Sequence, residues 1–250
     1  MSEHSDRRTQ IERLCQGTAA DRTQHSSLSG RYRLTVTTHE TRPGCWAYSK
    51  GVVQRRGSSD PIATICRNYS AFPFSFVEDH PNGHDYLVCG EDYQGQTVVE
   101  LDTGRRVDYL PPEAKAGVAF CWASHHPSPD GLLLAVEGCV WAGPYWIQIV
   151  DFSEPMSPPW PCFVPETELD EFACWTSITS CEITGSIEVR RSDGKAEESL
   201  SEAEVEELDA LEAAGQSYES LWETRRVAPY SWTQPADHPE RRAASKNTSA

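Results

Sequence analysis

The sequence lacks the apolar stretches that mark membrane spans and exported proteins. It has no run of about 18 apolar residues, which a spanning helix requires. Its first ten residues, MSEHSDRRTQ, contain no apolar segment of the kind found in secretory signals. These absences predict a soluble protein, and we expect it in the cytoplasm with no membrane partner.

Basic residues are scarce. The 250 residues include 22 Lys and Arg against 38 Asp and Glu, which gives a formal net charge of −16. Binding to DNA or RNA requires a basic footprint, so we expect no direct contact with nucleic acid. Acidity can serve solubility alone, or it can attract a basic partner, and composition leaves both roles open.

Common catalytic motifs are missing as well. The chain has no phosphate-binding P-loop, no G-x-G-x-x-G, no G-x-S-x-G and no C-x-x-C. Its nine cysteines are odd in number, and without an export signal the simplest interpretation is reduced, mostly buried thiols. The sequence therefore predicts no catalytic residue and no cofactor.

A segment of the chain repeats at an interval of 48 residues. Residues 83–101 read GHDYLVCGEDYQGQTVVEL, and residues 131–149 read GLLLAVEGCVWAGPYWIQI. Aligned without a gap, three glycines of the first copy coincide with three of the second: Gly83 with Gly131, Gly90 with Gly138, and Gly95 with Gly143. Repeats of this length are typical of β-propeller blades and other repeat arrays.

Strand patterns fill the chain from residue 30 onward. RYRLTVTTH and FPFSFVEDH alternate apolar and polar residues, and turn residues separate such runs. The patterns predict three units at about 30–68, 72–112 and 117–165, and a less regular fourth at 171–233. Residues 1–29 and 234–250 are polar, and we expect them to be disordered tails.

The fourth unit contains a predicted acidic helix over residues 200–214. Ser199 and Glu202 have the spacing of a capping box, and Gly215 stands where a helix commonly ends. Glu202 and Glu206 are candidates for an acidic docking surface. The alternative is a solvated helix that packs on its incomplete apolar stripe.

The turn SPDG, followed by LLLAVEG, resembles the PD40 and WD40-type repeats of β-propellers. In those repeats a Pro-Asp-Gly turn joins the first and second strands of a blade. HPNG is similar but lacks the aspartate, and the chain has neither a Trp-Asp strand end nor a Gly-His blade start. The resemblance covers roughly residues 30–195 and implies an all-β fold: a small or degenerate β-propeller-like repeat domain with an added C-terminal acidic helix. It implies no activity, because one fold hosts many.

The number of units leaves three arrangements open. Closed propellers have about four to eight blades, and this chain has about four periods of the required length. It can form a four-bladed ring, an open array capped by the acidic helix, or a ring that closes by self-association.

Loop residues of the repeat are candidates for a binding site. In the aligned repeat, Tyr93 coincides with Trp141, and Glu91 and Asp92 coincide with the two residues before it. Tyr145 lies shortly after Trp141 in the second copy. Binding residues concentrate on loops, so these side chains predict an aromatic and acidic patch. The alternative is that equivalent aromatic rings fill equivalent gaps in the core.

Three histidines are weaker candidates, for a metal site. His80, His84 and His126, together with Asp79, supply imidazole and carboxylate groups that suit zinc or iron. All lie near predicted turns, where such residues commonly bind backbone groups instead.

These observations favour a non-enzymatic protein-binding scaffold, with an acidic inhibitor or immunity-type protein as one version. The expected partner is another protein, basic in charge. Two alternatives remain: a hydrolase or lyase with its active site at the mouth of a propeller, and an assembly component that closes by self-association.

Overall fold

A computed structural model describes residues 3–42, 44–141, 143–163, 171–196, 199–226 and 229–235. The described chain is mostly β and forms several small antiparallel sheets, as the alternating patterns predict. No helix within those ranges is long and apolar enough to cross a membrane.

The first sheet is a four-stranded antiparallel meander preceded by a helix. Helix α1 spans Glu3–Leu14. The strands follow in chain order: β1 (Thr18–Ser26), β2 (Tyr32–Glu40), β3 (Ala47–Arg55) and β4 (Pro61–Arg67).

Helix α1 and strand β1 correct the prediction of a disordered tail over residues 1–29. Strand β1 pairs with β2 along its length, yet nearly all of its side chains are exposed. Backbone hydrogen bonds to β2 hold it, so it lacks the buried face that produces an alternating pattern. Helix α1 is polar for a similar reason, since among its described side chains, from residue 8 to residue 14, only Ile11 is buried.

The second and third sheets are also four-stranded antiparallel meanders. The second comprises β5 (Ser75–Val77), β6 (Tyr86–Cys89), β7 (Gln96–Glu100) and β8 (Arg106–Tyr109). A single 3₁₀ turn, Pro112–Ala116, leads to the third. Its strands are β9 (Phe120–Pro127), β10 (Leu133–Val140), β11 (Trp146–Asp151) and β12 (Cys162–Phe163).

The 48-residue repeat corresponds to equivalent positions in these two sheets. Gly83 and Gly131 end equivalent turns with positive φ angles of 88° and 73°, a conformation that glycine adopts without strain. Gly138 in β10 allows a close approach to β9, because a Cβ there would lie 2.1 Å from the carbonyl oxygen of Cys121. The aligned glycines therefore mark turns and close backbone contacts.

The predicted fourth unit, 171–233, divides into two smaller sheets and two helices. In chain order its elements are β13 (Glu171–Trp175), β14 (Ser180–Thr184), β15 (Ser186–Arg190), α2 (Glu202–Ala213), α3 (Tyr218–Leu221), β16 (Trp222–Arg226) and β17 (Tyr230–Thr233). Strands β13, β14 and β17 form one sheet, whereas β15 and β16 form the other. Of the predicted C-terminal tail, 234–250, only the first two residues lie within the described ranges.

The N-cap of α2 is Ser201, two residues after the predicted capping position, Ser199. The backbone N–H of Ser201 donates to the Glu204 carboxylate at 3.0 Å, and the Ser201 hydroxyl donates to it at 2.8 Å. Ser199 instead donates its hydroxyl to the carbonyl oxygen of Ala196 at 2.7 Å. The predicted pair of Ser199 and Glu202 was wrong because the same spacing recurs two residues later.

Apolar side chains join successive sheets face to face. Leu34 and Ile65 of the first sheet pack against Leu87 of the second. Val88, on the opposite face of β6, packs against Val136 of the third sheet. The other face of β10 continues the stack, where the third sheet contacts Cys181 and Ile183 of β14. Strands β6, β7 and β10 are therefore buried on both faces, which explains the consecutive apolar residues within each of them. Within the ranges that the structure describes, no sheet closes on itself.

Candidate functional site

Four connections leave the first three sheets at the same end. In an antiparallel meander every second connection returns to one end. The connections after β2, β4, β6 and β10 meet this condition, and each contributes one aromatic ring. We name the set the aromatic patch: Trp46, Tyr69, Tyr93 and Trp141.

The rings of the aromatic patch contact one another. The ring centres of Tyr93 and Trp141 are 5.3 Å apart, and those of Trp46 and Tyr69 are also 5.3 Å apart. Tyr69 meets Trp141 edge-on at 6.0 Å. These separations are typical of favourable aromatic pairs. The structure thus brings Tyr93 and Trp141 together, as their equivalent positions in the repeat predict.

Much of the aromatic patch faces solvent. Trp46 is 48% exposed and Trp141 is 49% exposed. Tyr145, 53% exposed, lies beside the patch, where partial burial and the neighbouring Cys139 and Tyr69 raise the pKa of its hydroxyl. The repeat does not point to Trp46 and Tyr69, because the first sheet lies outside it. Their places at the ends of strands were the available signal.

Glu91 lies beneath the patch in a buried ionic network, not on its surface. Arg8 of α1 binds the Glu91 carboxylate through two nitrogens, each at 2.8 Å, and reaches Asp108 at 2.6 Å. Arg106 contacts Glu91 at 3.2 Å and Asp108 at 2.7 Å. The Glu91 side chain is only 7% exposed. The carboxylate that the sequence offered as a ligand group therefore anchors α1 to the second sheet.

Charge in this network moves the pKa values of its members. The Glu91 carboxylate accepts hydrogen bonds from Arg8 and raises the pKa of that guanidinium above its usual range. Burial raises the pKa of Asp108, but hydrogen bonds and charge from Arg106 outweigh that effect, so its pKa is lowered. The Asp108 carboxylate is thereby held ionised between two arginines.

Asp92 stabilises the turn that carries Tyr93. Its carboxylate accepts the side-chain amide of Asn68 at 3.0 Å and the backbone N–H of Gln94 at 2.9 Å. Asn68 in return accepts the Tyr93 N–H at 2.9 Å. Such aspartate turns are common in loops. Like Glu91, Asp92 is buried and positions the patch without forming its surface.

A buried arginine supports the same loop. Arg67 donates to the carbonyl oxygens of Gly90 at 2.8 Å and Asp92 at 3.1 Å. Its burial lowers the pKa of its guanidinium to about 10. The ends of β4 and β6 are thus tied together under the exposed rings.

A cavity of about 300 Å³ lies between α1 and the aromatic patch. Its lining includes Ile11 and Leu14 of α1, and Trp46 and Tyr93 of the patch. The rings of the patch pack on one another while their contact with α1 is incomplete.

The histidines proposed as metal ligands do not converge. His80 is buried, with Nε2 3.2 Å from the carbonyl oxygen of Phe152 and Nδ1 accepting the Asn82 N–H. His84 pairs with Asp102 at 3.3 Å, and His126 pairs with Glu137 at 2.9 Å. Asp79 contacts Arg31 instead. Among the described residues, no group of three or more His, Cys, Asp or Glu side chains is placed to hold a metal ion.

Ser124, His126 and Glu137 form a cluster that lacks the geometry of a catalytic triad. The Ser124 hydroxyl and the Glu137 carboxylate both contact Nε2 of His126, at 3.2 Å and 2.9 Å. A triad needs its acid and its nucleophile on opposite ring nitrogens. The other Glu137 oxygen accepts the backbone N–H of Phe172 at 2.9 Å. The cluster therefore joins the third sheet to β13.

Helix α2 has one acidic face in solvent. Leu208 is buried against Leu221 and Trp222, and Leu211 packs beside it. Glu202 and Glu206 are exposed, which both a docking surface and a solvated helix predict. Glu204 differs from them, because Arg190 and Lys195 bind it at 2.7 Å and 2.5 Å.

Comparison with known proteins gives a similarity but no activity. No family model matches the chain. A stretch of 132 residues is 39% identical to an uncharacterized protein of Acanthamoeba polyphaga mimivirus. The aligned region covers 53% of this chain and 51% of that protein, so the chain spans about half the length of that relative.

Proposed function

We propose that the protein is a binding scaffold that holds a basic protein partner at the loop end of its sheets. The observation that carries this proposal is the aromatic patch, where four separate connections place their rings in contact and two of the rings, Trp46 and Trp141, are exposed. Single exposed aromatic residues are ordinary, but contiguous apolar patches on a protein surface often mark interaction sites. Trp and Tyr are also the residues that most often dominate binding energy at such sites.

Charge supports a basic partner. The net charge of −16 attracts cationic proteins at a distance. At close range the faces of Trp and Tyr rings attract Lys and Arg side chains. Long-range attraction and local recognition therefore favour the same kind of ligand. An acidic inhibitor or immunity-type protein is the version of this function that best uses the charge.

The acidic face of α2 is a second proposed contact surface for the same partner. Glu202 and Glu206 lie one turn apart on its exposed side. We also propose the cytoplasm as its location, because all nine cysteines are free thiols and such thiols persist in reducing compartments.

We also infer that the four successive sheets form an open, propeller-like array. Tyr32 and Leu34 of β2 face the second sheet, so alternation turns Arg33 and Thr37, both partly exposed, to the outer face of the first sheet. At the other end, Cys181 and Ile183 face the third sheet, and Glu182 lies opposite Ser231 on the outer face. Polar outer faces on terminal units are typical of capped arrays.

A pull-down with the full-length chain tests the proposed function. Tagged wild-type protein should capture one basic protein from its native extract, and the yield should fall as salt rises. The double variant Trp46→Ala and Trp141→Ala should lose the partner. A matched control, Val118→Ala with Ile178→Ala, removes exposed apolar side chains elsewhere and should retain it. Equal capture by both double variants would remove the aromatic patch from the proposal.

A further inference from the structure

Helix α1 binds the loop end of the sheets through a basic side chain. Arg8 places two nitrogens on the Glu91 carboxylate, at 2.8 Å each, and one of them also contacts Asp108 at 2.6 Å. Two-pronged pairing of arginine with a carboxylate is specific in geometry as well as in charge. The chain thus carries, in its own first helix, the type of group that the proposed function assigns to a partner.

Few apolar contacts hold the part of α1 whose side chains the structure describes, from Arg8 to Leu14. Between Arg8 and Leu14, only Ile11 is buried, and Cys15 follows it into the same small cluster with Cys66. The helix has 12 residues, and helices shorter than about 12–15 residues are marginal in water without packing partners. Arg8, Ile11 and Cys15 follow the spacing i, i+3, i+7 of an amphipathic helix laid in a groove.

The groove is wider than α1 requires. The cavity of about 300 Å³ separates Ile11 and Leu14 from Trp46 and Tyr93. Larger apolar side chains on a helix in the same position would meet the rings of the aromatic patch. Helix α1 therefore binds the acidic residues of the groove but makes incomplete contact with its aromatic rings.

We propose that the groove occupied by α1 is the binding site for a helix of the partner. Helix α1 and the partner helix compete for this groove. This inference rests on the proposed function and specifies its partner: an amphipathic helix with an arginine at the place of Arg8, and bulky apolar residues three and six positions later, where Ile11 and Leu14 line the cavity. The partner's guanidinium replaces Arg8 on Glu91 and Asp108, while Arg106 stays in place. Its apolar residues fill the cavity beside Trp46 and Tyr93.

Competition of this kind sets the apparent affinity. A ligand that needs the groove empty binds only the fraction of molecules whose α1 has left it, and its apparent affinity falls by that fraction. A change that loosens α1 therefore strengthens binding of a separate helix, and removal of the Glu91 carboxylate abolishes that binding.

The test uses the chain's own helix as the probe. A fluorescent synthetic peptide with the sequence of residues 2–17 is titrated into three full-length proteins: wild type, Arg8→Glu and Arg13→Glu. Arg8→Glu places a third acidic group beside Glu91 and Asp108, so α1 leaves and the peptide should bind at least about tenfold more tightly than to wild type, equivalent to about 1.4 kcal/mol. Arg13→Glu makes the same charge change at an exposed position of α1 and should match wild type.

A peptide in which alanine replaces both Arg7 and Arg8 should lose most of its affinity for the Arg8→Glu protein. Arg8→Ala is the second route to an open groove if Arg8→Glu does not fold, which circular dichroism detects. The proposal is overturned if the peptide binds neither protein with an altered Arg8 more tightly than wild type. Peptide binding does not depend on the extract: binding without a captured partner contradicts the proposed function alone, and a captured partner without peptide binding contradicts the groove alone.

Discussion

At the scale of single residues, Glu91 ties two distant parts of the chain together. Its carboxylate is almost fully buried and binds Arg8 from the first helix and Arg106 from the second sheet. The sequence placed Glu91 correctly on a loop but not in this network, because both arginines are far from it along the chain. Pairing across such separations leaves no local pattern to read.

Replacing Glu91 by glutamine should destabilise the fold. The neutral amide weakens two ionic hydrogen bonds and leaves Arg8 without its main partner, so we expect the free energy of unfolding to fall by about 1–3 kcal/mol. Urea denaturation followed by fluorescence measures the change. Glu207→Gln, an exposed position of α2, is the matched control and should leave the midpoint unchanged. A midpoint for Glu91→Gln equal to that of the control would mean that the network adds no stability.

At the scale of elements, the sequence predicts a strand where at least one face of that strand is buried. Strands β6 and β10 belong to sheets that have another sheet packed on each face. Their apolar residues and glycines could be recognised in the sequence. Strand β1 has no buried face and α1 has little apolar surface, so neither left a periodic signal. The same reasoning explains the aromatic patch: Tyr93 and Trp141 were found through the repeat, whereas Trp46 was not.

The junction between the third sheet and β13 should depend on pH through Glu137. Burial raises the pKa of this carboxyl, but hydrogen bonds from His126, Ser124 and the Phe172 N–H outweigh burial and lower it to about 2. A carboxyl whose pKa is lowered by folding stabilises the protein above its unfolded pKa, near 4.5. That contribution disappears as pH falls from about 4.5 to about 2.

Comparison of wild type with Glu137→Gln isolates this effect from other carboxyls. The difference in unfolding free energy should be constant above pH of about 5, at about 2 kcal/mol after allowance for partial solvent screening. It should shrink steadily toward pH of about 2. Urea midpoints measured across this range provide the test. A difference that does not change with pH would show that the hydrogen bonds do not favour the ionised carboxylate.

Helix α2 separates acidic residues that hold the fold from those free to bind. Glu204 contacts Arg190, Lys195 and the capping residue Ser201, so Glu204→Lys should lower the melting temperature. The triple change of Glu202, Glu206 and Glu207 to lysine alters exposed positions only and should leave the melting temperature intact. If the acidic face contacts the basic partner, the triple variant captures less of it in the pull-down. Full capture would remove α2 from the proposed interface.

At the scale of the whole molecule, the stack of sheets is defined by which faces are apolar. Each interior junction joins apolar faces, whereas Arg33 and Thr37 at one end, and Glu182 and Ser231 at the other, present polar groups. Sequence alternation could predict the apolar faces sheet by sheet. It could not say whether the first and last sheets meet, because two polar faces are compatible with solvent or with a polar contact.

Polar end faces predict that the protein is a monomer in solution. Closure by self-association would bury these faces and bring together chains that each carry a net charge of −16, and burial of polar groups without matched partners opposes association. Sedimentation equilibrium should therefore give the mass of one chain, 27.9 kDa, at low and at high salt. High salt is the critical condition, because it screens the repulsion between the chains. Association then depends only on the contacts between their end faces. A dimer that appears there would favour an assembly closed by self-association, and it would move the polar faces from the surface of the molecule to its interface.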